Sequence, residues 1–225
     1  MTSPPPARRG TLRRAIAFAF RLGLALLVLA AGCSKDETPA GPGPGPGTPP
    51  YGTGDLAFEA PSAGGAFTVT GAYLPSAEFA DDSAGQGAGG FLHDTVAAGR
   101  PYQARLNAYV HALRSGLMSE RVLVIRLDAG GALSTGDYAV VPDLAPPAGK
   151  TARVTYLFFS DSLAEYSVFE GAGGTISVSA LDTTTGEITG TFSGTLRTPP
   201  PDTSRVISLT NGSFRIILAK RYYDY

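Results

Sequence analysis

The chain has 225 residues, 43% of them hydrophobic and only 16% charged, so most of it is built to bury a core. Its formal charge of −1 hides an asymmetry. Five arginines are the only charged side chains before Cys33, which leaves 13 of the 18 basic residues against 19 acidic ones and a net charge of about −6 beyond it. An acidic body without a basic cluster is repelled by phosphate backbones, which argues against a nucleic-acid partner.

Residues 1–32 read as a signal peptide. Arg8, Arg9, Arg13, Arg14 and Arg21 precede an uninterrupted apolar run of ten, Leu22–Ala31. A membrane-crossing helix takes about 20 apolar residues, so this run fits a cleaved export signal better than a permanent anchor. It ends in Ala30-Ala31-Gly32-Cys33. Small residues before a lone cysteine resemble the bacterial lipobox, with Leu29 one place further from the cysteine than in the usual pattern. The resemblance implies cleavage before Cys33 and lipid attachment to its thiol, and Ser34 in the next position implies delivery to the outer membrane. Cys33 is the only cysteine, so no intrachain disulfide can form. The competing reading is ordinary cleavage near Ala31, with Cys33 left as a free thiol.

Residues 33–54 form the expected linker. TPAGPGPGPGTPP, at 38–50, can build neither helix nor strand ladder, because proline lacks the donor and glycine carries high backbone entropy. Such a stretch is a semi-extended spacer, or simply a low-complexity leader.

Residues 55–221 read as one all-β domain, followed by a tail at 222–225. Phe67–Thr70 is the first expected strand. Gly85–Gly90 formally satisfies G-x-G-x-x-G, but no strand–helix context surrounds it, and a flexible loop is expected. Pro101–Gly116 is bounded as helices are, yet Ala104–His111 also alternates; a strand paired with Arg121–Leu127 is favoured. Arg121–Leu127 and Val154–Phe159 are densely apolar and read as central strands, with Gly136–Val140 and Tyr166–Phe169 as shorter ones. Ile176, Val178 and Ala180 alternate with Ser and Thr. So do Ile188, Gly190, Phe192, Gly194 and Leu196, and Asp182–Gly186 joins the two runs as a hairpin loop. The two glycines of the second run leave room for a bulky neighbour or allow a bend. Ile207 and Leu209 lead into Asn211-Gly212, which predicts a type I′ hairpin turn before Phe214, Ile216 and Leu218. Nine or ten short strands predict an antiparallel β-sandwich, with a closed or partly open β-barrel as the alternative.

Cys33-Ser34-Lys35-Asp36 with its spacer, GDYAV at 136–140, GEITGTFSGTL at 186–196 and SLTNGSF at 208–214 together resemble an uncharacterised family of small bacterial lipoproteins with a β-rich domain. The likeness covers roughly 120–218 and implies fold and address only; it lends no catalytic residues.

No catalytic, cofactor or metal site emerges. His93 and His111 are the only imidazoles, no G-x-S-x-G elbow is present, and two histidines 18 residues apart are a poor start for zinc. Asp81-Asp82 and Asp182–Glu187 lack a calcium-loop pattern and read as solvated turns. Tyr222-Tyr223-Asp224-Tyr225 reads as a frayed end. The functional expectation is a non-enzymatic binding module of the cell envelope. It is held to the membrane through Cys33 and meets a glycan, an apolar ligand in a barrel mouth, or an envelope protein. An envelope hydrolase with paired carboxylates and a structural or assembly-accessory lipoprotein are the alternatives.

Overall fold

A computed structural model describes residues 51–73, 84–93, 103–114, 117–142, 149–160 and 165–221. The expected signal peptide (1–32), Cys33 and the expected linker up to 50, Asp81-Asp82 and the expected tail 222–225 lie outside the described residues.

Among the described residues every regular element is a strand, and there are eleven: β1 (Thr53–Ala60), β2 (Gly65–Ala72), β3 (Ala84–His93), β4 (Ala104–Arg114), β5 (Leu117–Asp128), β6 (Gly136–Val140), β7 (Thr151–Ser160), β8 (Glu165–Asp182), β9 (Glu187–Arg197), β10 (Val206–Ile217) and β11 (Ala219–Arg221). The expected all-β class is therefore correct. Of the two architectures, the barrel forms and the sandwich does not. The strands run β3-β2-β1-β10-β9-β8-β6-β7-β5-β4, and β3 pairs again with β4, so ten strands close on themselves. A sandwich needs a break between two sheets; here each strand of the ring has a neighbour on both sides. β11 adds to β3 in parallel beyond the ring.

Two seams of the ring are slight. β2 meets β3 in parallel through the single pair Ala72 and Ala88. β6 is wedged between β7 and β8: it meets β7 over two residues and β8 over four, and beyond it β7 pairs with β8 directly.

Rings fill the interior. Phe58 stacks on Phe67 at 4.7 Å and meets the edge of Tyr156 at 5.5 Å and the tilted ring of Phe192 at 5.8 Å. β1, β2, β7 and β9 thus touch one another across the lumen, and Phe214 of β10 joins through Phe192 at 6.4 Å. A Cβ on Gly190 would lie 2.2 Å from Ser177 O and 2.6 Å from the Phe214 ring. Of the two glycines of β9, only Gly190 faces such a ring; a Cβ on Gly194 would instead meet Gly173 O at 2.8 Å.

Turns cap both mouths. At one, the turn 61–64 between β1 and β2 folds inward until Ala63 is buried. The Tyr156 hydroxyl donates to Ala63 O at 2.9 Å, and Arg121 Nη1 donates to Gly64 O and Ala66 O, each at 2.8 Å. At the other, the loop 129–135 packs Ala129 and Leu133 against the core. Gln103 holds it by accepting from Ala129 N and donating to Gly131 O, while the Tyr138 hydroxyl donates to Ser134 O at 2.7 Å.

Several local expectations change. Pro101–Gly116 does hold a strand, β4, in unbroken register with β5. Gly85–Gly90 is not a loop but the middle of β3. A Cβ on Gly87 would fall 2.1 Å from Ala72 O, and one on Gly89 2.3 Å from Tyr51 O, so glycine is needed where backbones cross. Asn211-Gly212 is not a hairpin turn. β10 runs straight through it, because both halves pair with the same neighbours, β9 and β1. Between Leu209 and Gly212 it carries one residue more than β9 does, a β-bulge with Asn211 at φ 53°. Ala180 is exposed rather than inward, because a bulge after Val178 shifts the alternation to Leu181. β1 begins two residues ahead of the boundary read at 55.

Burial raises the Tyr156 phenol to about 12, against a partial lowering by Arg121. The folded state then holds this proton between pH 10 and 12 where the unfolded chain has released it, so stability falls as pH rises through that window. Alkaline denaturation followed by circular dichroism should show a loss on the order of 2–3 kcal/mol from this group. Tyr156→Phe should lose about 1 kcal/mol at neutral pH, the Ala63 hydrogen bond, and should flatten the alkaline slope.

Candidate functional site

With the lumen filled, recognition falls to the outer walls, and the two sides differ in chemistry. On β8, β9, β10, β1 and β2 the outward positions are hydroxyl-rich. Ser177 faces Thr191, Thr191 faces Ser213, and Thr189 faces Arg215 across the strands. The alternation of these segments assigns the hydroxyls to solvent because the intervening Ile, Phe and Leu go inward.

The bulge in β10 turns part of this wall into a shallow groove of about 340 Å³. Thr175 and Ser177 of β8, Thr191 and Ser193 of β9, and Asn211 and Ser213 of β10 line it, with Phe192 and Gly212 at its floor. No charged side chain belongs to the lining. The nearest carboxylates sit at its rim and are engaged: Asn211 Nδ2 donates to Glu59 Oε2 at 3.2 Å, and Ser177 Oγ to Asp137 Oδ1 at 2.7 Å. Such a surface can exchange neutral hydrogen bonds with a polyhydroxylated ligand. It offers no acid–base pair.

The opposite wall is built from β4, β5, β7 and the first half of β8. Here the outward positions of adjacent strands fall into direct rows. Tyr109 faces Val122, which faces Leu157, which faces Val168. His111, Glu120, Phe159 and Tyr166 make the next row, and Arg105, Arg126 and Arg153 another. Burial lowers the basicity of His111 and pushes the Glu120 carboxyl up, so both are biased to their neutral forms. Tyr73 packs edge-on against Tyr109 at 5.4 Å, and burial raises its phenol against the pull of Arg105.

Most residues singled out in the sequence do not converge. His93 and His111 sit on adjacent strands, but His111 faces Gly85, eight residues along β3 from His93, or roughly 26 Å at about 3.3 Å per residue. Among the described residues no group of three His, Cys, Asp or Glu is placed to hold a metal ion. Asp182 and Glu187 face each other across the hairpin, yet each has a separate task. Asp182 accepts Thr184 N at 2.7 Å and Thr185 N at 3.3 Å, which holds its carboxyl below the usual range, and Glu187 accepts from Arg215 Nε at 2.7 Å. The G-x-G-x-x-G run is closed by crossing backbone and leaves no cradle for a phosphate. Cys33 lies outside the described residues.

Sequence reasoning found the Thr/Ser face but missed the groove and the arginine row. The shift of inward parity from Ile207 and Leu209 to Phe214 and Ile216 was the available signal for the bulge. The arginine row had none within a single segment, since its members come from three strands.

Compared with known protein families, with curated proteins and with solved structures, the chain finds no match.

The left-handed backbone of Asn211 gives a direct check on the groove. Asn211→Ala should cost roughly 1–2 kcal/mol in urea denaturation, because a Cβ without a local polar partner disfavours that region. Asn211→Gly should leave stability within a few tenths of a kcal/mol.

Proposed function

We propose that this chain is an envelope lipoprotein, cut before Cys33, lipidated there and held at the outer membrane. Its barrel would be a non-enzymatic binding module whose ligand is a neutral, hydroxyl-rich molecule of the glycan class. The observation that carries the ligand reading is the groove between β8, β9 and β10: six outward hydroxyl and amide side chains, with no charge among the lining residues. The ring-filled lumen speaks against an apolar ligand held in a barrel mouth. A hydrolase needs two carboxylates about 5–9 Å apart in one cleft, and the lining of the groove supplies none. The address reading rests on Leu22–Ala31 and Ala30-Ala31-Gly32-Cys33.

Two measurements test the halves separately. Metabolic labelling with radioactive palmitate in a bacterial host should mark the wild-type chain and not Cys33→Ser; an unlabelled wild-type chain ends the lipoprotein reading. For the ligand, the mature chain should retain a subset of neutral oligosaccharides on a glycan array. Thr191→Val, which keeps the shape and removes one hydroxyl, should weaken that retention about tenfold, the equivalent of one hydrogen bond at about 1.4 kcal/mol. Retention unchanged in Thr191→Val would place the contact elsewhere.

A further inference from the structure

We infer that the groove between β8, β9 and β10 selects a glycan that carries acetamido groups, a narrowing that rests on the reading of this groove as a glycan site. Four side chains form a row across it. Asp137 faces Ser177, Ser177 faces Thr191 and Thr191 faces Ser213, so a carboxylate and three hydroxyls lie side by side on β6, β8, β9 and β10. Neighbouring strands are about 4.8 Å apart, which puts Ser177 and Ser213 on opposite sides of the groove at roughly 10 Å.

Hydrogen-bond direction makes the two sides unlike. A carboxylate only accepts, so Ser177 gives its one hydrogen to Asp137 Oδ1, at 2.7 Å, and keeps only lone pairs for the groove. On the far side, Asn211 Nδ2 donates to Glu59 Oε2 at 3.2 Å, which fixes the amide and leaves it a second N–H. The groove therefore asks for a donor at β8 and has donors to give at β10, from Asn211 and the Ser213 hydroxyl. Between them the floor is carbon, formed by Phe192 and Gly212. A Cβ on Gly212 would lie 2.4 Å from Phe192 O and 2.5 Å from the Phe192 ring, so glycine keeps this floor low.

An acetamido group answers all three demands. Its amide is planar and trans, so N–H and C=O point in opposite directions. With the N–H donated to Ser177 Oγ, the carbonyl turns to β10 and accepts from Ser213 or Asn211, and the methyl rests over Phe192 and Gly212. Plain sugar hydroxyls can serve the two sides, but they set a polar group on the carbon floor and lose its hydration there. An ammonium can donate to Ser177 and has nothing with which to accept from Ser213 or Asn211. Asp137 is a positioning residue in this arrangement, since it acts on the ligand only through the Ser177 hydrogen.

Isothermal titration calorimetry of the purified wild-type chain with the β-linked tetrasaccharides of glucose, of N-acetylglucosamine and of glucosamine reads the preference directly. The N-acetylated tetramer should bind about tenfold tighter than the glucose tetramer, the equivalent of one hydrogen bond. Ser177→Ala, which removes the acceptor, should bring the two within about twofold of each other. Asp137→Ala frees the Ser177 hydrogen to turn into the groove, and should cut the preference severalfold while the circular dichroism spectrum is kept. Equal weakening of both tetramers in Asp137→Ala overturns its positioning role. Equal affinities in the wild-type chain, or a preference that survives Ser177→Ala, overturn the acetamido assignment and leave the glycan reading standing. Tightest binding of the glucosamine tetramer overturns it in favour of an ammonium held by the Glu59 and Asp137 carboxylates. No binding of any tetramer removes the glycan reading as well.

Discussion

Phe58 touches Phe67, Tyr156 and Phe192, side chains that arrive from three other strands. A ring of about eight strands is already just filled by ordinary side chains, and ten enclose more space. With no tryptophan available, phenylalanine and tyrosine must meet across the lumen, and the wall can close only if every strand keeps its large residues on one side. That demand explains the bulges. β8 and β10 are among the longest strands, and each would drift out of phase with the curved wall. An extra residue near Gly171 and after Val178 in β8, and at Thr210-Asn211 in β10, returns the large side chains to the inside.

The same demand leaves the outside unconstrained by packing, and the two walls have diverged. On one, threonine and serine are the commonest outward residues, and the bulge that corrects the interior of β10 also lifts Asn211 over the groove. On the other, the outward positions of β5 and β7 mix Val122, Val124, Leu157 and Phe159 with Glu120, Arg126, Arg153 and Thr155. The inward residues are buried by the fold, while Val122, Val124, Leu157 and Phe159 on the outside are only half-buried.

How far the sequence could be read follows from the range of the forces involved. The alternation of β9 is local and unbroken, and Ile188, Phe192 and Leu196 point where the pattern says. β4 was ambiguous because its ends carry helix-like punctuation and Leu106, Tyr109, Val110 and Leu113 also recur at helical spacing. β3 was unreadable, since a strand of glycines has no side chains to alternate; its glycines answer to backbones that arrive from residues 51–52 and 72. Asn211-Gly212 fits a turn and a bulge equally well by local chemistry, and only the partner strands decide between them. Closure itself, sandwich against barrel, depends on Ala72 meeting Ala88 and on β3 meeting β4, contacts that no periodicity records. The groove was half legible, its hydroxyls predicted and its shape not.

β1 lies between β2 and β10, so the first strand of the barrel waits for one of the last. Leu56 is paired with Phe214 and Thr53 with Ile217, partners separated by most of the chain. A ribosome, or any pore that the chain crosses from its N-terminal end, delivers β1 and β2 long before β10, and until then their hairpin keeps one bare edge. Loop closure over such a span is slow compared with local pairing. The body is thus timed to stay open while it is still emerging and to lock only when its final strands have come through.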